Sequence, residues 1–146
     1  GLMLRCKIFK TTKGRLPVSK LRSLFALIAG GEAKPNWQGQ VNVVFTDDRS
    51  IHKLNKTHRG KDKPTDVLSF SLDPPESPSS VYGEIYISVP AAVRQAADYD
   101  GTLSDEFLRL FCHGLLHLFG YDHIKPSLAK KMQSRERKYL GERYWC

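Results

Sequence analysis

Along this chain, short apolar stretches rich in β-branched residues trade places with longer stretches whose apolar residues recur every three or four positions. Residues 3–9 (MLRCKIF), 41–46 (VNVVFT), 65–72 (TDVLSFSL) and 82–89 (YGEIYISV) have the length and composition of strands. Helical patterns lie between and after them. Pro17 opens PVSKLRSLFALIAGG, in which Val18, Leu21, Leu24, Phe25 and Ile28 share one face, and Gly30 and Gly31 are expected to end it. Asp47 or Asp48 caps a short helix carrying Ile51 and Leu54, with Lys53, Lys56, His58 and Arg59 as its basic group. Pro90 stops the fourth strand and starts PAAVRQAADYD, while DPPESPSS before that strand reads as a turn-rich mobile loop.

The longest apolar helix runs from about Ser104 to Phe119. Leu103, Phe107, Leu108, Leu110, Phe111, Leu115 and Leu118 are spread nearly all round it, which predicts a buried helix. The last helix, from Pro126 to about Gly141, is amphipathic and basic through Lys130, Lys131, Arg135, Arg137 and Lys138. The expectation is one α/β (α+β) domain over residues 1–146, built on a mixed sheet of about four strands. Strands separated by helices favour a mostly parallel sheet, although strand order is not legible in the pattern.

Composition narrows the setting. No apolar run reaches the roughly 18 residues that cross a bilayer, and the first residues lack the pattern of a signal peptide. Three cysteines, Cys6, Cys112 and Cys146, are scattered and odd in number, so neither a disulfide framework nor a C-x-x-C clamp is expected. A reducing, cytoplasmic compartment follows. Lysine and arginine outnumber acids 23 to 15, a formal charge of +8. That field suits a polyanion, nucleic acid first; a soluble basic surface is the plainer alternative.

The chemistry concentrates in HGLLHLFGYDH, residues 113–123. His113 and His117 are four apart on the buried helix, so their rings share one face. Gly120 can turn the chain back and return His123 to the same point. Three imidazoles can hold one Zn²⁺ and leave a fourth position for water, the catalytic pattern. Zinc is favoured over iron because no carboxylate is evident to complete a two-histidine, one-carboxylate triad. Asp122 is open to three roles: ligand, orienting partner or cap of the turn. Cys112 points about 100° away around the helix and is expected in the core.

The ligand spacing is that of a metzincin protease, H-E-x-x-H-x-x-G-x-x-H, with Gly114 where the protease keeps its glutamate base. Losing a general base forfeits on the order of 10²–10⁴ in rate, which argues against peptide hydrolysis. Glycine inside a helix also costs up to about 1 kcal/mol relative to alanine. Either close packing of a strand or approach of a bulky substrate would compensate, and substrate access is the expectation here. Phosphodiester cleavage suits the site better, because a metal polarises a phosphoryl oxygen and activates water near neutral pH. Such a reaction needs positive charge on the phosphate, and NKTHRGKDKPTDVLSF offers His58, Arg59, Lys61 and Lys63.

Taken together, HGLLHLFGYDH, NKTHRGKDKPTDVLSF and GEIYIS resemble the YbeY family of bacterial metal-dependent endoribonucleases over residues 40–140. The resemblance implies that His113, His117 and His123 are the zinc ligands and that Arg59 is the functionally required arginine. It also implies maturation of ribosomal RNA, notably the small-subunit 3′ end, and ribosome quality control. The partners would be single-stranded or unpaired RNA and ribosomal or ribosome-assembly proteins, with no DNA and no membrane. Glu84 departs conservatively from the family's more frequent GDI. A metallopeptidase or amide hydrolase, and a non-catalytic RNA-binding module with structural zinc, are the competing classes.

Smaller residues carry narrower expectations. Asp66 orients Arg59 or a histidine, or ties its loop to the strand. Glu106, seven residues before His113, is either an acceptor behind a ligand or half of a solvent-facing salt bridge. His52 and His58 lie on a polar helix and its exit, and Tyr121 packs the turn.

Overall fold

The computed structural model describes residues 3–71 and 81–141. Four strands are present, β1 (Met3–Lys10), β2 (Gln38–Thr46), β3 (Val67–Ser71) and β4 (Val81–Ser88). Five helices accompany them: α1 (Val18–Glu32), α2 (Asp48–Arg59), α3 (Val89–Asp98), α4 (Leu103–Leu118) and α5 (Pro126–Leu140). The fold is α+β. The expected loop DPPESPSS lies outside the described residues.

The sheet order is β1-β2-β4-β3. β1 and β4 flank β2 in parallel, and β3 pairs antiparallel with β4, Val67 opposite Ile87 and Ser69 opposite Ile85. The sheet is therefore mixed, mostly parallel in its first three strands. Only nine residues separate the end of β3 from the start of β4, fewer than the dozen or more that a parallel crossover needs, so the pair runs antiparallel. Along β2, Val41, Val43 and Phe45 are fully buried and alternate with half-buried positions, the mark of a strand with one face in the core.

α4 is the central helix, touching α1, α3, α5, β3 and β4. Thr102 caps it by accepting from the Asp105 amide at 3.0 Å. Phe107, Leu110, Phe111, Leu115 and Leu116 are each no more than 1% exposed, and Phe107 meets Phe45 edge-on at 5.1 Å. Cys112 is fully buried beside them, and burial pushes its thiol far above the usual range. Asp47 caps α2 through the Ser50 amide at 2.7 Å, while Asp48 accepts from Ser88 Oγ at 2.6 Å and Arg94 at 3.0 Å.

Two glycine expectations are corrected. Gly30 and Gly31 do not end α1, which continues to Glu32. A side chain at Gly31 would collide with the Tyr139 hydroxyl, so that glycine admits α5 rather than stopping the helix. Glu32 then receives hydrogen bonds from the hydroxyls of Tyr121 and Tyr139, which hold the last turn. Gly114 does not open a path for substrate. A Cβ there would lie 2.8 Å from Ile85 Cγ2, 3.0 Å from Val67 Cγ2 and 3.1 Å from Ser69 Oγ. The strand pair β3–β4 occupies the space, and Ser69 Oγ donates to the Gly114 carbonyl at 2.7 Å.

Close packing thus compensates the helix cost of Gly114. The variant Gly114→Ala is expected to lose about 1–3 kcal/mol of stability through overpacking, despite alanine's better helix propensity. Equilibrium urea unfolding measures this; a midpoint at or above wild type would show that the strands yield.

Candidate metal centre and its cleft

α4 ends at Leu118, and Gly120, with φ of +104°, reverses the chain through a conformation that favours glycine. The reversal brings His123 back over the helix. His123 Nδ1 lies 2.8 Å from His117 Nε2, which lies 3.1 Å from His113 Nε2. One nitrogen from each ring falls within 4.8 Å of the other two.

The tautomer of His117 follows from its surroundings. Its Nδ1 is 2.9 Å from the Tyr121 carbonyl oxygen, which only accepts, so Nδ1 carries the hydrogen. Burial lowers the pKa of His117, and the neighbouring His113 and His123 lower it further. A neutral ring protonated at Nδ1 turns its Nε2 lone pair toward the other two rings. A nitrogen of each of those rings lies within 4.8 Å of it, close enough for all three to share one ion. The donor set therefore fits a single cation bound by imidazole nitrogen.

Asp122 is not in this cluster. Its Oδ1 accepts from the Ile124 amide at 3.0 Å, and that bond is the main cause of its lowered pKa. Of its three open roles, the structure shows the cap. Tyr121 packs the turn as expected and anchors it through its hydroxyl to Glu32 on α1.

The histidines stand at one side of a cleft of about 930 Å³ whose other side is formed by the end of α2, the segment after it and β3. Arg59, the last residue of α2, lines this cleft with His58, Lys61 and Lys63. Arg59 Nη2 donates to the Ser69 carbonyl at 2.5 Å, and its guanidinium lies 5.1 Å from the centre of the Phe70 ring. His58, within α2 rather than at its exit, meets the same ring edge-on at 5.2 Å. Phe70 is thereby a platform for the Arg59 guanidinium and a packing partner for the His58 ring. His52 is away from the cleft lining, paired with Asp62 at 2.7 Å.

Asp66 and Glu106 serve α3 and α4. Asp66 Oδ2 accepts from Gln95 at 3.2 Å, which ties the loop to α3; no bond to Arg59 or a ligand ring is present among the described contacts. Of the two expectations for Glu106, the salt bridge is present but buried, and the contact with a ligand ring is not made. Glu106 is 6% exposed, not solvent-facing, and its carboxylate grips Arg109 at 2.8 and 2.6 Å rather than His113. The carboxylate that does face His113 comes from α5: Glu136 Oε1 is 3.6 Å from His113 Nδ1. Sequence reading missed it, although Met132, Glu136 and Tyr139 share one face of a basic helix, so an acid there points inward.

A pH dependence follows from His117. Its folded pKa lies below the ordinary 6.5, so the unfolded chain takes up that proton first as pH falls. The corresponding stability of the metal-free protein is complete above pH 6.5 and is lost progressively below it. Thermal unfolding of chelated protein at pH 7.5 and 5.5 is expected to show a larger drop for wild type than for His117→Gln. Equal drops would contradict it.

Comparison with known proteins gives a consistent result. The sequence profile described as Endoribonuclease YbeY matches residues 10–143. A protein of Shouchella clausii named Endoribonuclease YbeY is 41% identical over 123 residues, 77% of each chain. One of the same name from Desulfitobacterium hafniense is 36% identical over 141 residues, 87% of this chain and 90% of that one. The solution structure of TM1509 from Thermotoga maritima superposes with a TM-score of 0.65 at 33% identity, covering 96% of this chain and 89% of that one. With the profile spanning both the cleft and the histidine turn, this chain belongs to the Endoribonuclease YbeY family.

Proposed function

We propose that this protein is a zinc-dependent endoribonuclease that cleaves single-stranded RNA in the cytoplasm, as one domain spanning residues 1–146. Its role would be ribosomal RNA maturation, at the small-subunit 3′ end, and ribosome quality control, with ribosome-associated proteins as partners. The observation that carries the reading is the convergence of His113, His117 and His123 in a cleft shared with Arg59. The name borne by the relatives, Endoribonuclease YbeY, supports the reaction class.

The three histidines would hold the zinc. When bound, zinc supplies a Lewis acid for a phosphoryl oxygen and activates water near neutral pH. The chain's own residues do the rest. The Tyr121 carbonyl fixes the His117 ring. Arg59 spends one of its five donors on Ser69 and keeps a planar fork suited to two phosphate oxygens, where it offsets charge growing on the pentacoordinate phosphate. Lys61 and Lys63 extend the positive field along the cleft, drawing in the backbone of the RNA. An unpaired strand fits because its backbone can bend into the cleft and splay its bases.

In cleavage of a labelled RNA bearing a small-subunit 3′ end, His117→Ala is expected to abolish activity while circular dichroism stays native. Undiminished cleavage by that variant would remove the chemistry from this site. Arg59→Ala is expected to lower kcat by about 10²–10³, with Arg59→Lys recovering only part, because a point charge lacks the fork. A change confined to KM would assign Arg59 to binding alone.

A further inference from the structure

The histidine triad is supported unevenly. His117 is held by a backbone carbonyl, whereas His113 faces the carboxylate of Glu136. Glu136 is 4% exposed and lies on the core side of α5. Burying a carboxylate is costly unless positive or hydrogen-bonding groups surround it. Here the positive charge of Arg109 acts on it through space, and the His113 ring stands 3.6 Å away. Two other inward-turned acids are engaged elsewhere, the buried Glu106 with Arg109 and the half-buried Glu32 with two tyrosine hydroxyls. Among the described residues, Glu136 is the buried acid aimed at a ring of the triad.

We propose that Glu136 is a positioning residue for the metal centre, holding the hydrogen on His113 Nδ1 so that the Nε2 lone pair turns toward His117 and His123. The proposal rests on the metal-site reading above. His113 Nε2, not Nδ1, faces His117 at 3.1 Å, so the carboxylate stands behind the ring and acts through it. Glu136 is therefore not a replacement for the base that Gly114 lacks. Its 3.6 Å separation is an ion-pair distance, and closing it by about half an ångström gives a hydrogen bond. Carboxylates placed in this way fix the tautomer of a ligand ring and raise its basicity.

The test measures metal binding, not turnover. Zinc affinity of the full chain is read by competition with a chromophoric chelator, and ligand geometry by the visible spectrum with Co²⁺. Glu136→Gln keeps the shape and removes the charge; it is expected to bind zinc about 10–100-fold more weakly and to shift the cobalt bands. Glu136→Asp should recover part of the loss. Thermal unfolding of the metal-free variants separates this from packing, since a purely structural role would move the midpoint and leave affinity and spectrum alone. Wild-type affinity and an unchanged cobalt spectrum in Glu136→Gln would overturn the proposal. Failure of the wild-type chain itself to bind zinc or cobalt would instead overturn the metal-site reading. Should Glu136→Gln not fold, the tautomer of His113 in metal-free wild type decides, by long-range proton–nitrogen correlation: Nδ1–H supports the proposal and Nε2–H overturns it.

Discussion

The close approach of α4 to the β3–β4 pair at Gly114 is the constraint on which the site depends. No side chain fits between the helix and Ile85, Val67 and Ser69, so the helix backbone lies directly on the strands. That contact places the Ser69 hydroxyl on the Gly114 carbonyl, and the Ser69 carbonyl in turn receives Arg59. One serine thus joins the helix that carries His113 and His117 to the arginine at the end of α2. A side chain there would push helix and strand apart and strain the anchor that the two halves of the cleft share.

Inward-turned acids complete the scaffold. In a chain with a formal charge of +8, Glu32, Glu106 and Glu136 are turned inward, each against a specific set of donors or rings. Glu32 and Glu136 join elements distant in sequence, whereas Glu106 acts within α4 and toward its neighbour α3. Glu32 on α1 holds the Tyr121 turn and Tyr139 of α5. Glu106 fixes Arg109, which reaches Gln95 on α3 at 3.3 Å. An unpaired carboxylate in these places would be strongly unfavourable, so the interactions specify which elements meet. The positive surface charge is then left for the cleft and the exposed helices.

Much of the local structure was legible because it is governed by near neighbours. The period of apolar residues located the five helices and four strands of the described residues, and the Asp47 cap, one of two expected candidates, is chemistry of adjacent residues. The grouping of His113, His117 and His123 was also legible, since a four-residue helical spacing and a glycine turn are local geometry. The misreadings were all non-local. Gly30 and Gly31 carry the sequence mark of a helix end, yet α1 continues because Tyr139, more than one hundred residues later, packs on Gly31 and bonds to Glu32. Substrate access was the expectation at Gly114, but its space is taken by β3 and β4.

What the sequence determined by itself is therefore the elements, the buried character of α4 and the histidine cluster at its end. These depend on backbone periodicity and on side chains within about two turns of one another. Tertiary structure alone decided that β3 inverts against β4, that Arg59 enters the histidine cleft by way of Ser69, and that Glu136 rather than Glu106 faces His113. Glu106 and Glu136 are both one acid on a helix face, and no local rule distinguishes them. Only the packing of α5 against α4 brings one carboxylate to the ring and leaves the other to Arg109.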